Sequence, residues 1–560
     1  MKHKKIKLLS VNEKLSNVKE KKGENYKLIV KNKEEKGGNY ILIVNKKDKK
    51  ERDYALIVKK KDKKEKDSEL LVKNKDEKKK DNELIAKNKD KKKKDNELIV
   101  KNKDKKKKDN ELIVKNEDEK EKDNELSVKN KDEKEEEYEL IAKNKDEKEE
   151  EEYELIVKNK DEKDIKVSII MPSFNKYEYV SLSLYCLLGQ TFDFSSFEVI
   201  LVDDCSVDNT ADIPKEFDPP FKFKYVRPRK NLGRSRARNL GIQLAEGEVI
   251  IFLDAEMLTE PNFIENHYKH HINDKNIVVS GSMHYRGIYT FLTSDFNSKQ
   301  WEHIDDFVTR DPYFTFPYNE YKQNHQNSNQ LFPLITKKDI DNNSFQNLSF
   351  PNWYFTRELN NGLNDFGVDL SNYTLPYLAF LTGDVSVNRE LLDKVGYFDE
   401  SFRGYGAEDW ELGYRLYKNG ARFLLDPSTF CYHQEHPISS NNFPEAMGNL
   451  HQFMKKFPEI DVLALALEHK PGLSFTQMHY VVSQYNELCE KHPFEYREFK
   501  QTFQTMLIKM IENLRDSKPI SNLYDCNTST ELEILKQITE IKKLRLYALT
   551  NAFEALLESK

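Results

Sequence analysis

Cysteine is sparse in this 560-residue chain. Its five cysteines, Cys186, Cys205, Cys431, Cys489 and Cys526, are scattered, odd in number and without CxxC spacing. That pattern indicates neither a disulfide framework nor a zinc cage, and makes a reducing, cytoplasmic compartment the expectation. Long apolar runs are also missing. No 18 consecutive apolar residues occur, so no membrane-spanning helix is expected. The Lys-rich first 30 residues hold no apolar stretch longer than a triplet, so no signal-peptide core is read there. Neither GxGxxG after the first strand nor GxxxxGK[ST] is present, so dinucleotide and P-loop cradles are excluded. No basic-aromatic RNA motif appears, and nucleic acid is not an expected partner.

What is present divides in two. Residues 1–164 carry 52 basic and 44 acidic side chains, leaving 40 basic and 53 acidic for 165–560. Only the second composition is that of a globular domain. The first is an array whose unit is Leu-Ile-Val followed by charge, with leucines at 28, 42, 56, 70, 84, 98, 112, 126 and 140. A last copy follows at Leu155, one residue late. Three consecutive apolar residues span about 200° of a helix, so they form no coiled-coil seam. The expectation for 1–164 is a disordered or helical arm. Its basic start offers contact with an anionic surface, which would make the chain peripheral at a membrane, or head-to-tail self-pairing.

From 165 the pattern is α/β. Strands are predicted at Lys166–Pro172, Phe197–Val202, near Tyr225 and at Glu248–Leu253, with helices over 176–190 and Arg234–Ala245. Alternation of this kind implies a parallel sheet with right-handed crossovers, and ligands beyond the strands' carboxyl ends. Those ends read Pro172-Ser173, Asp203-Asp204 and Asp254-Ala255-Glu256. Acids instead of glycines suggest phosphates held through Mg²⁺ or Mn²⁺.

These residues resemble a known family. Val167–Pro172 with Ser173-Phe174-Asn175, Val202-Asp203-Asp204-Cys205-Ser206, Asn231-Leu232-Gly233 with Ala237-Arg238-Asn239-Leu240-Gly241, and Phe252–Glu256 resemble family 2 glycosyltransferases of the GT-A fold. Downstream, Gly396–Glu400 and Gly404–Leu412 resemble the galactosyltransferase-type C-terminal half of that fold. The resemblance covers roughly 165–437. It implies a UDP-sugar donor, with Pro172, Ser173 and Asp204 on the nucleotide and Arg234 and Arg238 on its phosphates. Asp254 and Glu256 match the metal-binding DxD motif, with Glu in place of the second Asp. His433 is the implied third ligand of the cation, Mn²⁺ or Mg²⁺, with His436 as its understudy. Asp409 matches the general base of an inverting transfer, Glu408 its neighbour that orients it or binds acceptor, and Asp384 a contact to the donor sugar.

Residues 284–380 are aromatic-rich, including Trp301, Trp353, Tyr354 and Phe355, and either bind acceptor or pack as core. The tail, 441–560, has helical spacing and is expected to pack on the catalytic domain, 165–440, or to form an oligomer interface. The resemblance leaves the acceptor open among glycan, peptide and small molecule. Two alternatives to the inverting enzyme are a retaining glycosyltransferase and an inactive GT-A scaffold that only binds.

Overall fold

In the computed structural model, the chain forms two compact units, Met1–Glu152 and Tyr153–Lys560. The structure describes strand segments within the first unit and, in the second, 153–158 and 164–558 without 282–285, 311, 326–329, 352–360, 362–363, 430 and 525–527. In the first unit, Tyr26–Asn32, Asn39–Lys46, Arg52–Lys60, Asp67–Lys75 and Glu83–Lys89 are strands, paired antiparallel in that order. The described segments of this unit are extended. Consecutive β-branched Ile and Val favour strand over helix.

The second unit opens at Tyr153, twelve residues before the boundary read from composition. Its first strand, β1 (Tyr153–Lys158), is the last repeat copy. Then come β2 (Val167–Ser173), α1 (Tyr177–Leu187), β3 (Phe197–Asp203), β4 (Lys222–Pro228), α2 (Arg234–Leu244) and β5 (Val249–Leu253). They are followed by β6 (Met257–Thr259), α3 (Phe263–His271), β7 (Ile277–Ser280) and β8 (Arg286–Ile288). Later elements of the site are β9 (Phe350–Pro351), β10 (Asp384–Asn388), α4 (Glu408–Lys418), β11 (Arg422–Leu425) and β12 (Cys431–Gln434).

The main sheet runs β1-β4-β3-β2-β5-β10-β7-β11. β4, β3, β2 and β5 are mutually parallel, as the alternating pattern predicts. β10 enters antiparallel between β5 and β7, after an insertion of about a hundred residues that hides it from a local reading. The central strands are apolar throughout because both faces are covered. Ile170, Ile200, Ile250 and Phe252 face one core, and Ile169, Val199, Val249 and Ile251 face the other. Gly241 lets α2 lie close on β2: a Cβ there would come within 2.4 Å of Ile170 Cγ2.

A second sheet, β6-β12-β8-β9, stands beside the first. The tail forms helices, among them α5 (Asn442–Lys456), α6 (Phe475–Lys491), α7 (Arg497–Arg515), α8 (Thr528–Lys543) and α9 (Tyr547–Leu557). Their buried side chains, such as Phe453, Phe503 and Phe553, belong to the same core as Phe252 and Phe380. The tail therefore packs on the catalytic domain. In the insertion, Trp301 stacks on Tyr321 at 5.6 Å under Lys322, so this aromatic packs internally. Trp353, Tyr354 and Phe355 lie outside the described residues.

Candidate active site

Parallel register carries the strand-end acids to one edge. Ser173 pairs with Asp203, and Ile170 with Phe252, which sets Asp254 just beyond the end of β5. Ser173 is buried, and its Oγ has no partner among the described residues. Asp204 is buried too. Its carboxylate accepts from Leu232 N (2.6 Å) and Gly233 N (2.9 Å), clamping the turn that opens α2. Burial raises its pKa, and those two N–H groups oppose the rise.

From α2, Arg238 reaches into the centre of the site, buried to 1% exposure. Its Nη2 donates to Asp254 Oδ1 at 2.9 Å and its Nη1 to Glu408 Oε1 at 3.2 Å. The guanidinium thus joins the end of β5 to the start of α4. The sequence reading assigns this arginine to the phosphates; here it holds two carboxylates. Arg234, one turn earlier and exposed, lies over the Tyr405 ring at 5.2 Å.

Asp409 sits in the first turn of α4 with Glu408 and Glu411, where the helix N-terminus favours negative charge. One of its oxygens accepts from Trp410 N at 2.8 Å. Its pKa is pushed up to about 7, chiefly by burial and then by the Glu408 charge, with Arg238 pulling the other way. The loop before α4 has Gly404, Gly406 and Ala407 at positive φ, and Gly406 takes the left-handed region without Cβ strain. The tail secures this loop. Glu445 of α5 accepts from Tyr405 N at 2.8 Å, and Asn449 donates to the carbonyls of Arg403 (3.0 Å) and Tyr405 (3.2 Å).

β6 and β12 assemble a second cluster. Antiparallel register pairs Met257 with His433, and Gln434 N donates to Glu256 O at 2.9 Å, so Glu256 and His433 become neighbours. Ligand atoms of Glu256, His433 and His436 all lie within 4.8 Å of one another. His436 Nε2 is 3.2 Å from Glu256 Oε1, and His433 Nδ1 is 3.2 Å from Glu435 Oε1. Burial works against charge on Glu256, yet the Lys176 ammonium and the two imidazoles hold its carboxyl well below the usual range. One carboxylate with two imidazoles is a donor set that suits Mn²⁺, and Glu435 stands behind His433 as an orienting partner. Of the three metal residues read from sequence, the structure joins Glu256 and His433. It promotes His436 and turns Asp254 toward Arg238.

Asp384 stands apart. It is fully buried, with Oδ1 2.9 Å from His267 Nε2 and Oδ2 accepting from Cys431 Sγ at 3.4 Å. These partners occupy both oxygens of its carboxylate inside the sheet. Two residues that the sequence reading passes over belong to the site. Lys176, at the start of α1, has its Nζ 3.8 Å from Glu256 Oε1, and burial lowers its pKa. Tyr179 is buried beside it, under that ammonium at 5.1 Å. The only sequence signal for either is their place just after the first strand end.

Comparison with known proteins meets this geometry. Residues 168–362 match the family described as glycosyl transferase family 2, and 365–437 match the N-terminal domain of galactosyltransferase. The uncharacterized glycosyltransferase YfnE of Bacillus subtilis is 29% identical over 332 residues, 59% of this chain and 80% of that protein. Chondroitin synthase of Pasteurella multocida is 29% identical over 290 residues, 51% of this chain but only 26% of the synthase. Validoxylamine A glucosyltransferase of Streptomyces hygroscopicus is 27% identical over 299 residues, 52% of this chain and 61% of that enzyme. The fold and the matched segments define a sugar-transferring enzyme. Over residues 168–437 the chain matches family 2 glycosyltransferases, with a galactosyltransferase-type second half.

Proposed function

We propose that the enzyme transfers a sugar from a UDP-sugar to an acceptor hydroxyl with inversion, Asp409 acting as general base. The observation that carries this reading is the Asp409 carboxyl, poised at about 7 beside the Arg238 bridge between Asp254 and Glu408. A base with a pKa near the working pH combines an available ionised form with useful proton affinity. The acceptor O–H proton passes to Asp409 as its oxygen bonds to the anomeric carbon. The bond from that carbon to the diphosphate breaks, and its electron pair leaves on the UDP oxygen.

Asp204 and Ser173 border the nucleotide, the Ser173 Oγ, without a partner among the described residues, being ready to accept or donate a hydrogen bond. Arg234, exposed at the start of α2, meets the diphosphate. Arg238 keeps the two acids in register. Glu256, His433 and His436 would hold a divalent cation, Mn²⁺ or Mg²⁺, which when bound would supply positive charge to offset that of the leaving diphosphate. The test is a panel of UDP-sugars offered with simple glycoside acceptors, the product read by NMR. A product of opposite anomeric configuration to the donor is expected. Retained configuration would remove Asp409 from the role of base.

A further inference from the structure

The segment that leads into Asp409 is held by two helices. From α2, Asn239 Nδ2 donates to Phe398 O and Phe398 N to Asn239 Oδ1, both at 2.9 Å. Arg236 pairs with Glu400 at 3.0 Å, and Ser235 Oγ donates to Phe402 O at 3.3 Å. From the tail helix α5, Lys456 Nζ donates to Asp399 Oδ2 at 2.5 Å and Gln452 Nε2 to Ser401 Oγ at 2.6 Å. Asn449 and Glu445 then take the backbone of Arg403 and Tyr405. Residues 398, 400 and 402 are thus tied to α2, and residues 399, 401, 403 and 405 to α5.

The α5 partners stand at 445, 449, 452 and 456, spacings of four, three and four that make one helix face. They meet the segment in reverse order, so helix and segment run antiparallel. Leu450, Phe453 and Met454 of α5 are buried in the core that the tail shares with the catalytic domain, which fixes the helix from behind. Lys456 also reaches Glu411, in the first turn of α4, at 2.8 Å. The gripped backbone is one that does not hold itself: Ala407, with a Cβ, has φ 64°, and such strain persists only where the surroundings impose it. The fit to α5 is close. A Cβ on Gly404 would collide with the Glu445 carboxylate, and one on Gly406 would come within 3.1 Å of Ala446 Cβ.

We propose that α5 is a positioning element of sugar transfer: Asn449 and Glu445 fix residues 403–407, and through them set the Asp409 carboxyl relative to α2, which carries Arg234 and Arg238. This rests on the reading of Asp409 as general base. The α5 residues act through the loop, so their loss falls on kcat rather than on KM for the donor. A displacement of about 1 Å at a reacting group costs up to about a hundredfold in rate.

The test reads hydrogen exchange and steady-state turnover of UDP-sugar in the full chain. Asn449→Asp keeps the side chain's shape and removes both donors. The amides of 404–408 should exchange at least about tenfold faster, with those of β2, β3 and α7 unchanged. The kcat should fall by about ten- to a hundredfold, with KM for the donor within about twofold of wild type. Glu445→Ala should do the same, and Glu445→Gln, which keeps an acceptor for Tyr405 N, should restore both readouts. Unchanged kcat in Asn449→Asp despite faster loop exchange would overturn the positioning role, as would a Glu445→Gln no better than Glu445→Ala. Protection lost across the whole fold in both Asn449→Asp and Glu445→Ala would also overturn it, making α5 a folding element alone. A folded wild-type chain that turns over no UDP-sugar would overturn the transfer reading and this role with it, whereas turnover indifferent to the α5 variants overturns this role only.

Discussion

Replacing Asp409 with asparagine separates the carboxyl's chemistry from its charge. Its pKa stands at about 7 in the folded chain, against an ordinary value near 4. A carboxyl raised in this way contributes stability that is fully present below its unfolded pKa and is lost as pH rises through about 7. A rise of this size sets a ceiling of about 4 kcal/mol on that contribution, and the partial exposure of the group reduces it to about 1–2 kcal/mol. Asparagine cannot ionise. Asp409→Asn should therefore match the wild type near pH 4 and melt about 1–4 °C higher at pH 8, as read by calorimetry. Activity should move the opposite way: wild-type turnover should rise about tenfold from pH 6 to pH 8, while the variant is nearly inactive throughout. Removing the neighbouring charge with Glu408→Gln should lower the Asp409 pKa and carry the acid limb to lower pH. A variant that is less stable at pH 8, or a stability difference independent of pH, would refute the argument.

Three further outcomes follow from the packing. Arg238→Met strands two acidic groups in the site, and should cost about 3–5 kcal/mol in urea unfolding, with Asp254 and Glu408 left unpaired. Glu435→Ala removes the partner of His433 Nδ1 and should weaken Mn²⁺ binding by about tenfold or more in titration calorimetry. Gly241→Ala pushes a methyl group into Ile170 and should destabilise the fold by about 1–3 kcal/mol without changing the site's charges.

Much of the parallel half is legible in the sequence because its signals are local. The runs Val167–Pro172, Phe197–Val202 and Glu248–Leu253 each end in polar residues, and parallel pairing brings those ends together. The acid pair Glu408-Asp409 is legible through its motif, since it begins a helix both by chemistry and by position. What escapes depends on pairing across long separations. β10 reaches β5 only after the insertion, so the burial of Asp384 against His267 and Cys431 carries no local mark. The tie of Arg238 to Glu408 likewise carries no local mark, since α4 brings Glu408 beside it from 170 residues away. His436 gains its place from the turn after β12, which folds it back on Glu256. The last repeat copy, Tyr153–Lys158, is likewise read only with its partner: β4 receives it as an edge strand from about seventy residues away.

The proposed chemistry has the site centred on Asp409 and Arg238 break the bond between sugar and UDP. The most direct measurement is UDP release by the full chain across a panel of UDP-sugars, with Mn²⁺ or with EDTA, and with Asp409→Asn in parallel. Release should require the cation and fall by about 10²–10⁴-fold in the variant. Release at the same rate in Asp409→Asn, or no release from any UDP-sugar by the folded chain, would contradict it.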